Sequence, residues 1–524
     1  MRLGAAFTLA VTLAACGKNG MAGEGVRPAA GGERLWVYPA PGQEAYRSER
    51  YRVRVEQGGA AHEAFCYRFR SIWHHEFPEP GVAKSFPIEN HWVSFSFAGK
   101  VVVAIEPLKI KPTGVELRPD PPGVKASASN GVIRVEISRP GQYYVMVKAE
   151  GADGYAFNHP LFIFANPPET DVPDPGAPGI RHFGPGVHEI GFQHRVKAGE
   201  TVYLAGGAMV KGSLFYEGRG VKILGRGILT DRTLMRDRVQ SALAEKAAGK
   251  SHAWDLNGDE MYRDKWATIY GEEGADGALI EGITVIESPF YMVRTHGADT
   301  VFRNLKLMGD LYNNNAIVGG TRHRILDCFF KVEDDVFCWM SPESETRNCV
   351  IWKQNNACLV QLGYGYSYTT RGHVLADSWV IEDRTDVQVM ARGLFGLASS
   401  TGTMFTDCLI ENVKVHGDVL NFLAIDNMDR PTPWANPSKG KVTLRPIELR
   451  FRNVEIAGTE RGTYWGPRME DLQGSPMRSR LRAEGDGTIR IVLENVRING
   501  KRLRSDADWP NGLLRQGNVT VEYR

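Results

Sequence analysis

A short pattern, hydrophobe-x-polar-hydrophobe-x-hydrophobe, recurs along the second half of this 524-residue chain and limits its fold more than any composition value. Copies begin Ile280-Glu281-Gly282-Ile283, Phe302-Arg303-Asn304-Leu305, Leu326-Asp327-Cys328-Phe329, Arg347-Asn348-Cys349-Val350, Ala376-Asp377-Ser378-Trp379, Thr406-Asp407-Cys408-Leu409, Phe451-Arg452-Asn453-Val454 and Leu493-Glu494-Asn495-Val496. Counted between the last residues of these quartets, the first steps are 22, 24 and 21 residues, and later ones lengthen to between 29 and 45. Self-similarity near that length without helical periodicity indicates a solenoid. Coils of that size with short strands predict a right-handed parallel β-helix, with the longer steps as loops inserted at coil corners. Stacked coils set like positions above one another. Cys328, Cys349 and Cys408 are therefore read as stacked core residues rather than disulfide partners.

Upstream the pattern differs. Residues 34–165 carry alternating segments such as Tyr51-Arg52-Val53-Arg54-Val55, Trp92-Val93-Ser94-Phe95-Ser96-Phe97 and Val132-Ile133-Arg134-Val135-Glu136-Ile137, separated by turn signals. These predict an antiparallel β-sandwich. Residues 166–179 hold five prolines and read as a linker, so the β-helix is expected over 180–524. The whole is all-β. A break at about 230–270 contains a helix-prone run, Leu234 to Lys250, followed by acids and aromatics from Trp254 to Trp266. Such an insertion is a lid over a groove or an ornament of the coil.

The first residues read as an export signal. Arg2 is the positive region, Gly4 to Ala15 the apolar one, and Leu13-Ala14-Ala15-Cys16 the cleavage site. This run resembles a bacterial lipoprotein signal (residues 1–16), which implies lipidation of Cys16, a membrane partner and a flexible tether over residues 17–33. Twelve apolar residues are too few to span a bilayer. The near-zero net charge of +2, with acids and bases interspersed, argues against a nucleic-acid partner. Cys66, Cys328, Cys338, Cys349, Cys358 and Cys408 form no CxxC pair, so a zinc site is not expected. His182, His188 and His194, and His74-His75-Glu76, match no ligand spacing. Gly225-Arg226-Gly227 is a coil turn and not a phosphate loop. No metal or cofactor is called.

Chemistry is expected where acids cluster on the repeat. Glu333-Asp334-Asp335 ends the strand that contains Phe329, Phe330 and Val332. Corresponding residues of neighbouring coils lie about 4.8 Å apart, so acids, amides and aromatics from adjacent coils form one stripe. Asn313-Asn314-Asn315 falls one coil earlier, and Gln361, Tyr364 and Tyr366 one coil later. Carboxylates and amides bind sugar hydroxyls, and aromatic faces stack on the rings. The plainer reading is an asparagine ladder capped by aromatics. Lys353 and Arg392 could recognise anionic sugars or be surface residues.

The runs Phe329-Phe330-Lys331-Val332-Glu333-Asp334-Asp335-Val336 and Asn348 to Gly363, with Trp352-Lys353 and Gln361-Leu362-Gly363, resemble glycoside hydrolase family 49. That group contains the dextranases and isopullulanases, and its β-helix is related to that of the family 28 polygalacturonases. The resemblance implies an inverting hydrolase acting on a polysaccharide or oligosaccharide, with Asp334 as general acid and Asp335 as a base. A third aspartate of the family falls on Asn315, which can orient water but cannot accept a proton. Cys338 stands where the family has lysine, and the arginine after the QxG strand is missing around Tyr366. Three outcomes remain open. Asp335 alone serves as base, or another acid such as Asp310 or Asp426 replaces the missing one, or the site binds sugar without cutting it. A lyase or epimerase on the same scaffold is a further alternative; it would need a Lys, Arg, His or Tyr base beside a charge neutraliser.

Overall fold

The computed structural model describes residues 34–70, 89–152, 154–231, 267–310, 314–354, 356–362, 369–383, 393–397, 402, 404–417, 419, 421–428, 443–457 and 479–524. The chain is all-β: two sheets over the first part, one antiparallel as expected and one mixed, in which Asn90–Ala98 and Leu161–Asn166 run parallel, and a right-handed parallel β-helix after them.

One antiparallel sheet holds Ala60–Ala64, Tyr51–Gln57, Val101–Pro107, Val132–Ile137 and Val124–Ser129 in that spatial order. Its strands alternate as the sequence requires: Val53 and Val55 are fully buried, whereas Arg52 and Arg54 are exposed. The other sheet differs. In its strand Leu161–Asn166 every residue is buried. Leu161, Ile163 and Ala165 face the core between the two sheets. Phe162 and Phe164, with Tyr67, Trp92 and Tyr144, pack instead against Met308, Phe329, Val350, Trp352 and Ile381 of the β-helix. This sheet is thus apolar on both faces because both are covered. One flank of the β-helix is covered in return.

The β-helix consists of parallel ladders. One begins at Ile180–Phe183 and passes through Val301–Arg303, Arg324–Leu326 and Glu345–Arg347 to Val519–Tyr523. The others run through Lys306–Gly309, Phe329–Val332 and Val350–Lys353, and through Ile317–Val318, Phe337–Cys338 and Val360–Gln361. Inside, Ile280, Phe302, Ile325, Thr346, Leu375, Ile410, Phe451 and Leu493 lie in one register-linked column.

The polar residue of the repeat is the turn between the first two ladders. Gly282, Asn304, Asp327, Asn348, Asp377, Asn453 and Asn495 all have φ between 50° and 85°, the left-handed region that admits glycine and, among side chains, mainly Asn and Asp. Their side chains also bridge rungs: Asn348 donates to Asp327 at 2.5 Å and Asn495 to Asn453 at 3.0 Å. One copy of the motif is displaced. Asp407 has φ 55° but sits at a register shift within the long strand Met404–Glu411, and the turn of that coil is Asn412. Cys408 is therefore not in the column of Cys328 and Cys349; that column continues with Ser378 and Val413. Each of Cys328 and Cys349 bonds the carbonyl two residues back, at 3.2 and 3.3 Å, and none of the six cysteines from Cys66 to Cys408 is in a disulfide. The helix-prone insertion lies outside the described residues, apart from its strand flanks Ile228–Thr230 and Ile269–Gly271.

Candidate active site

The acid pair occupies the turn between Phe329–Val332 and Phe337–Cys338. Val336 and Phe337 both enter the core, so the chain turns a corner there, and Asp335 and Cys338 flank it on the outer side. The pairing Ile317↔Phe337↔Val360 fixes what lies above and below. Two residues back in each strand it stacks Asn315, Asp335 and Cys358, and the backbone bonds Ala316 N to Asp335 O (3.0 Å) and Val336 N to Cys358 O (3.2 Å) hold that stack.

Asp335 is 6% exposed and collects donors. Oδ1 accepts the Cys358 N–H at 2.9 Å, and Oδ2 accepts the Asn315 amide at 3.3 Å and the Cys338 thiol at 3.8 Å. Asn315 also reaches the Cys338 sulfur at 3.6 Å. Burial, and then the charge of Asp335, push the Cys338 thiol well above its ordinary value. It remains a thiol that donates to Asp335 and is no nucleophile. Asp334, equally shielded, accepts the Asp335 N–H at 2.8 Å and the Asn356 amide at 2.6 Å. Asn356 has no place in the sequence reading, although it lies two residues after Gln354 in the coil that follows the acids.

The outer side extends in both directions from the pair. The ladder places Arg294, Val318, Cys338, Gln361, Gly396, Ala424 and Arg480 in one column. Gln361 thus lies one rung beyond Cys338, beside the acids. Two rungs beyond the acids the column holds Gly396.

Four of the residues proposed from sequence are placed elsewhere. Lys353 is fully buried; its ammonium bonds the carbonyls of Glu333 (3.4 Å), Gln354 (2.8 Å) and Asn356, which uses all three donors. It cross-links two turns instead of binding substrate. Asn314 is likewise buried and donates to the Ser288 and Phe290 carbonyls at 2.9 and 2.6 Å. Asp310 faces the sandwich. Lys331 pairs with it at 2.5 Å, and Asn90 and Gln354 donate to it at 2.9 Å each. Asp426 lies two residues beyond Ala424, and Arg482 holds it at 2.5 Å and Arg480 at 3.4 Å. Three rungs at about 4.8 Å put it roughly 14 Å from the acid pair, beyond the spacing of about 6.5–9.5 Å that inversion needs. Neither carboxylate stands beside the acid pair. Tyr364, Tyr366, Arg392, Asn313, His74-His75-Glu76 and Cys16 lie outside the described residues. His188 is in the strand Gly186–Val196, where it meets the Gly184 carbonyl at 2.8 Å, and His194 meets Arg181.

No family model matches the chain. Two curated relatives do: a dextranase of Arthrobacter globiformis, 22% identical over 400 residues (62% of each chain), and a dextranase of Arthrobacter sp. strain CB-8, 26% identical over 195 residues (36% of this chain, 29% of the relative). The matches thus span less than two thirds of those relatives' own lengths. Among solved structures, Dex49A from Penicillium minioluteum superposes with a TM-score of 0.67 at 16% identity, covering 94% of this chain and all of that one. The likeness runs through both the sandwich and the β-helix. The chain is thus similar in sequence to dextranases over part of its length, and it shares with Dex49A the fold of a sandwich followed by a β-helix.

Proposed function

We propose that the protein is an inverting glycoside hydrolase, with Asp334 as the general acid and Asp335 as the base. The observation that carries the reading is the stack at the acid rung: two adjacent carboxylates at a corner turn of a β-helix, one of them gathered by three donors. In this reaction Asp334 delivers a proton to the leaving glycosidic oxygen while Asp335 takes one from the water that attacks the opposite face of the ring. Donors directed at Asp335 suit a group that must be ionised before it accepts a proton. Asn315 spends its NH2 on Asp335 and Cys338. Its carbonyl remains able to hold the attacking water by one hydrogen, which positions the water without taking its proton.

The dextran named for the relatives is the first substrate to test, alongside a panel of neutral glucans and uronate polymers. The Asp334→Asn and Asp335→Asn variants should each lose at least about a hundredfold in kcat, the scale of general acid–base catalysis. The first-formed product anomer, followed by NMR, should be opposite to the bond cleaved. Full activity in either variant, or a retained anomer, refutes the assignment. A second reading, a glycan-binding protein without turnover, rests on the amide at Asn315. Binding on the panel with no released sugar would establish it. We also infer that the chain is exported and held on the membrane by lipid at Cys16. Cys16→Ser should then move the protein from the membrane to the soluble fraction, and an unchanged distribution would exclude the anchor.

A further inference from the structure

Away from the acid pair, the sandwich contains one buried set of side chains with metal-ligand chemistry. Glu89 immediately precedes the strand Asn90–Ala98, whose second residue is His91. His159 caps the short helix Tyr155–Asn158 and precedes the strand Leu161–Asn166. That strand lies parallel to the first in the register Leu161↔His91, and the bonds Glu89 N to Asn158 O (3.1 Å) and His91 N to Pro160 O (2.9 Å) close the junction. The sheet therefore brings together residues about seventy positions apart in sequence.

Glu89, His91 and His159 are 2%, 0% and 7% exposed. Their ligand atoms all lie within 4.8 Å of one another. Glu89 Oε2 is 3.5 Å from His91 Nε2 and 3.6 Å from His159 Nδ1. His91 Nδ1 has no partner, and His91 Nε2 and His159 Nδ1 have only these long contacts to the Glu89 carboxylate. Buried imidazole nitrogens without partners are costly and rare. A tetrahedral ion bound at about 2.0–2.1 Å sets its ligands roughly 3.3–3.4 Å apart, so the carboxylate–imidazole spacings need to close by only a few tenths of an ångström.

From this geometry we infer a binding site for a divalent transition metal ion of the zinc class, with Glu89, His91 and His159 as ligands. Arg50 at 3.2 Å and Arg70 bond the same carboxylate. A carboxylate has about four acceptor positions, so the guanidinium groups orient it as outer partners, and both side chains reach solvent, which screens their charge. Their charges weaken the purely electrostatic attraction for any cation. The site therefore favours ions that gain from imidazole, such as Zn²⁺ or Co²⁺, over the oxygen-seeking Mg²⁺ and Ca²⁺. The bound ion would tie the first strand to the turn before its neighbour, one residue from Asn90, which crosses to Asp310 of the β-helix at 2.9 Å.

The test uses the full chain without a histidine tag, stripped with a chelator and dialysed against Zn²⁺. Wild type should retain about one equivalent, and His91→Gln and His159→Gln should each retain less than about a tenth. Zn²⁺ should raise the melting temperature of wild type but not of His159→Gln, and Mg²⁺ and Ca²⁺ should raise neither. Equal zinc in wild type and His159→Gln, or none in wild type, overturns the site. If His91→Gln fails to fold, His159→Gln alone decides, provided its melting temperature in chelator equals that of stripped wild type.

Discussion

Replacing Asn315 with aspartate tests the electrostatics of the site most directly. In the structure the Asn315 amide stands 3.3 Å from Asp335 Oδ2 and donates to it. Asn315→Asp removes that donor and puts a second carboxylate in its place. Two unit charges at 3.3 Å repel by about 5 kcal/mol at an effective dielectric constant of 20 and by about 1.3 kcal/mol in bulk water. At 1.36 kcal/mol per pKa unit, the pair should hold one proton to a pH about one to four units higher than an isolated carboxylate would. The upper figure is a ceiling, because the side chains can rotate apart and share the proton. The shift belongs to the pair and not to either residue alone. Like charge disfavours ionisation, so the shift is upward. A base must be ionised to work, so the acidic limb of the kcat/KM profile should move to higher pH by about one unit or more. Activity at alkaline pH should be retained or raised, because a second carboxylate can then share the proton taken from water. The assay is a pH–rate profile of both proteins on whichever glycan the panel identifies. Superimposable acidic limbs would refute the coupling and, with it, the role of Asp335 as the base.

Three further outcomes follow from groups away from the reaction. Lys331 and Asp310 form an ion pair with side chains 0% and 1% exposed; breaking a buried pair by removing one partner costs about 3–5 kcal/mol. Lys331→Met should lower stability by that order in denaturant unfolding, and adding Asp310→Leu should recover part of it. An unchanged midpoint in the single variant would show that the pair is not held in a dry environment. Asn348 has φ 54°, where a residue with a side chain costs roughly 1–2 kcal/mol relative to the right-handed form. Asn348→Ala should therefore destabilise by about 1 kcal/mol or more and Asn348→Gly by less; equal losses would mean that the turn conformation is not what selects asparagine. Burial holds His323 down to about 4 and His373 down to about 3. Both are neutral in the fold, whereas the unfolded chain takes up protons below pH 6.5 or so. Their contribution is present above that pH and is lost as pH falls toward 4 and 3. The denaturation midpoint should be flat between pH 7 and 8 and decline below 6, and His373→Gln should reduce the decline.

What the sequence made legible depended on whether local spacing or distant packing decided a residue's place. The recurring polar position could be read because a solenoid sets the same backbone demand in every coil. Only glycine, asparagine and aspartate meet it cheaply, so Gly282, Asn304 and Asp327 mark the turn without any knowledge of contacts. Asp407 misled for the same reason. It also has positive φ, but a strand irregularity had supplied it, and the turn was five residues on at Asn412. At the acid rung, coil stacking carried Asn315 to Asp335, since one coil length separates them and the ladder admits no slip without burying the polar side of the strand. Which flank a side chain faces was not legible. Asp310, Asn314 and Lys353 have the residue types of a sugar site and the right distance along the chain. Yet the first looks into the interface with Phe162 and Phe164, and the others satisfy carbonyls inside the turns. For Asp310 that choice is made by a sheet folded more than a hundred residues earlier, which covers one flank of the β-helix; for Asn314 and Lys353 it is made by the carbonyls of neighbouring coils. The same sheet brings His159 to His91. In a β-helix with a docked sandwich, composition thus names the polar residues available, and the docked partner together with the carbonyls of the coil's own turns decides which of them become an interior and which can meet a substrate.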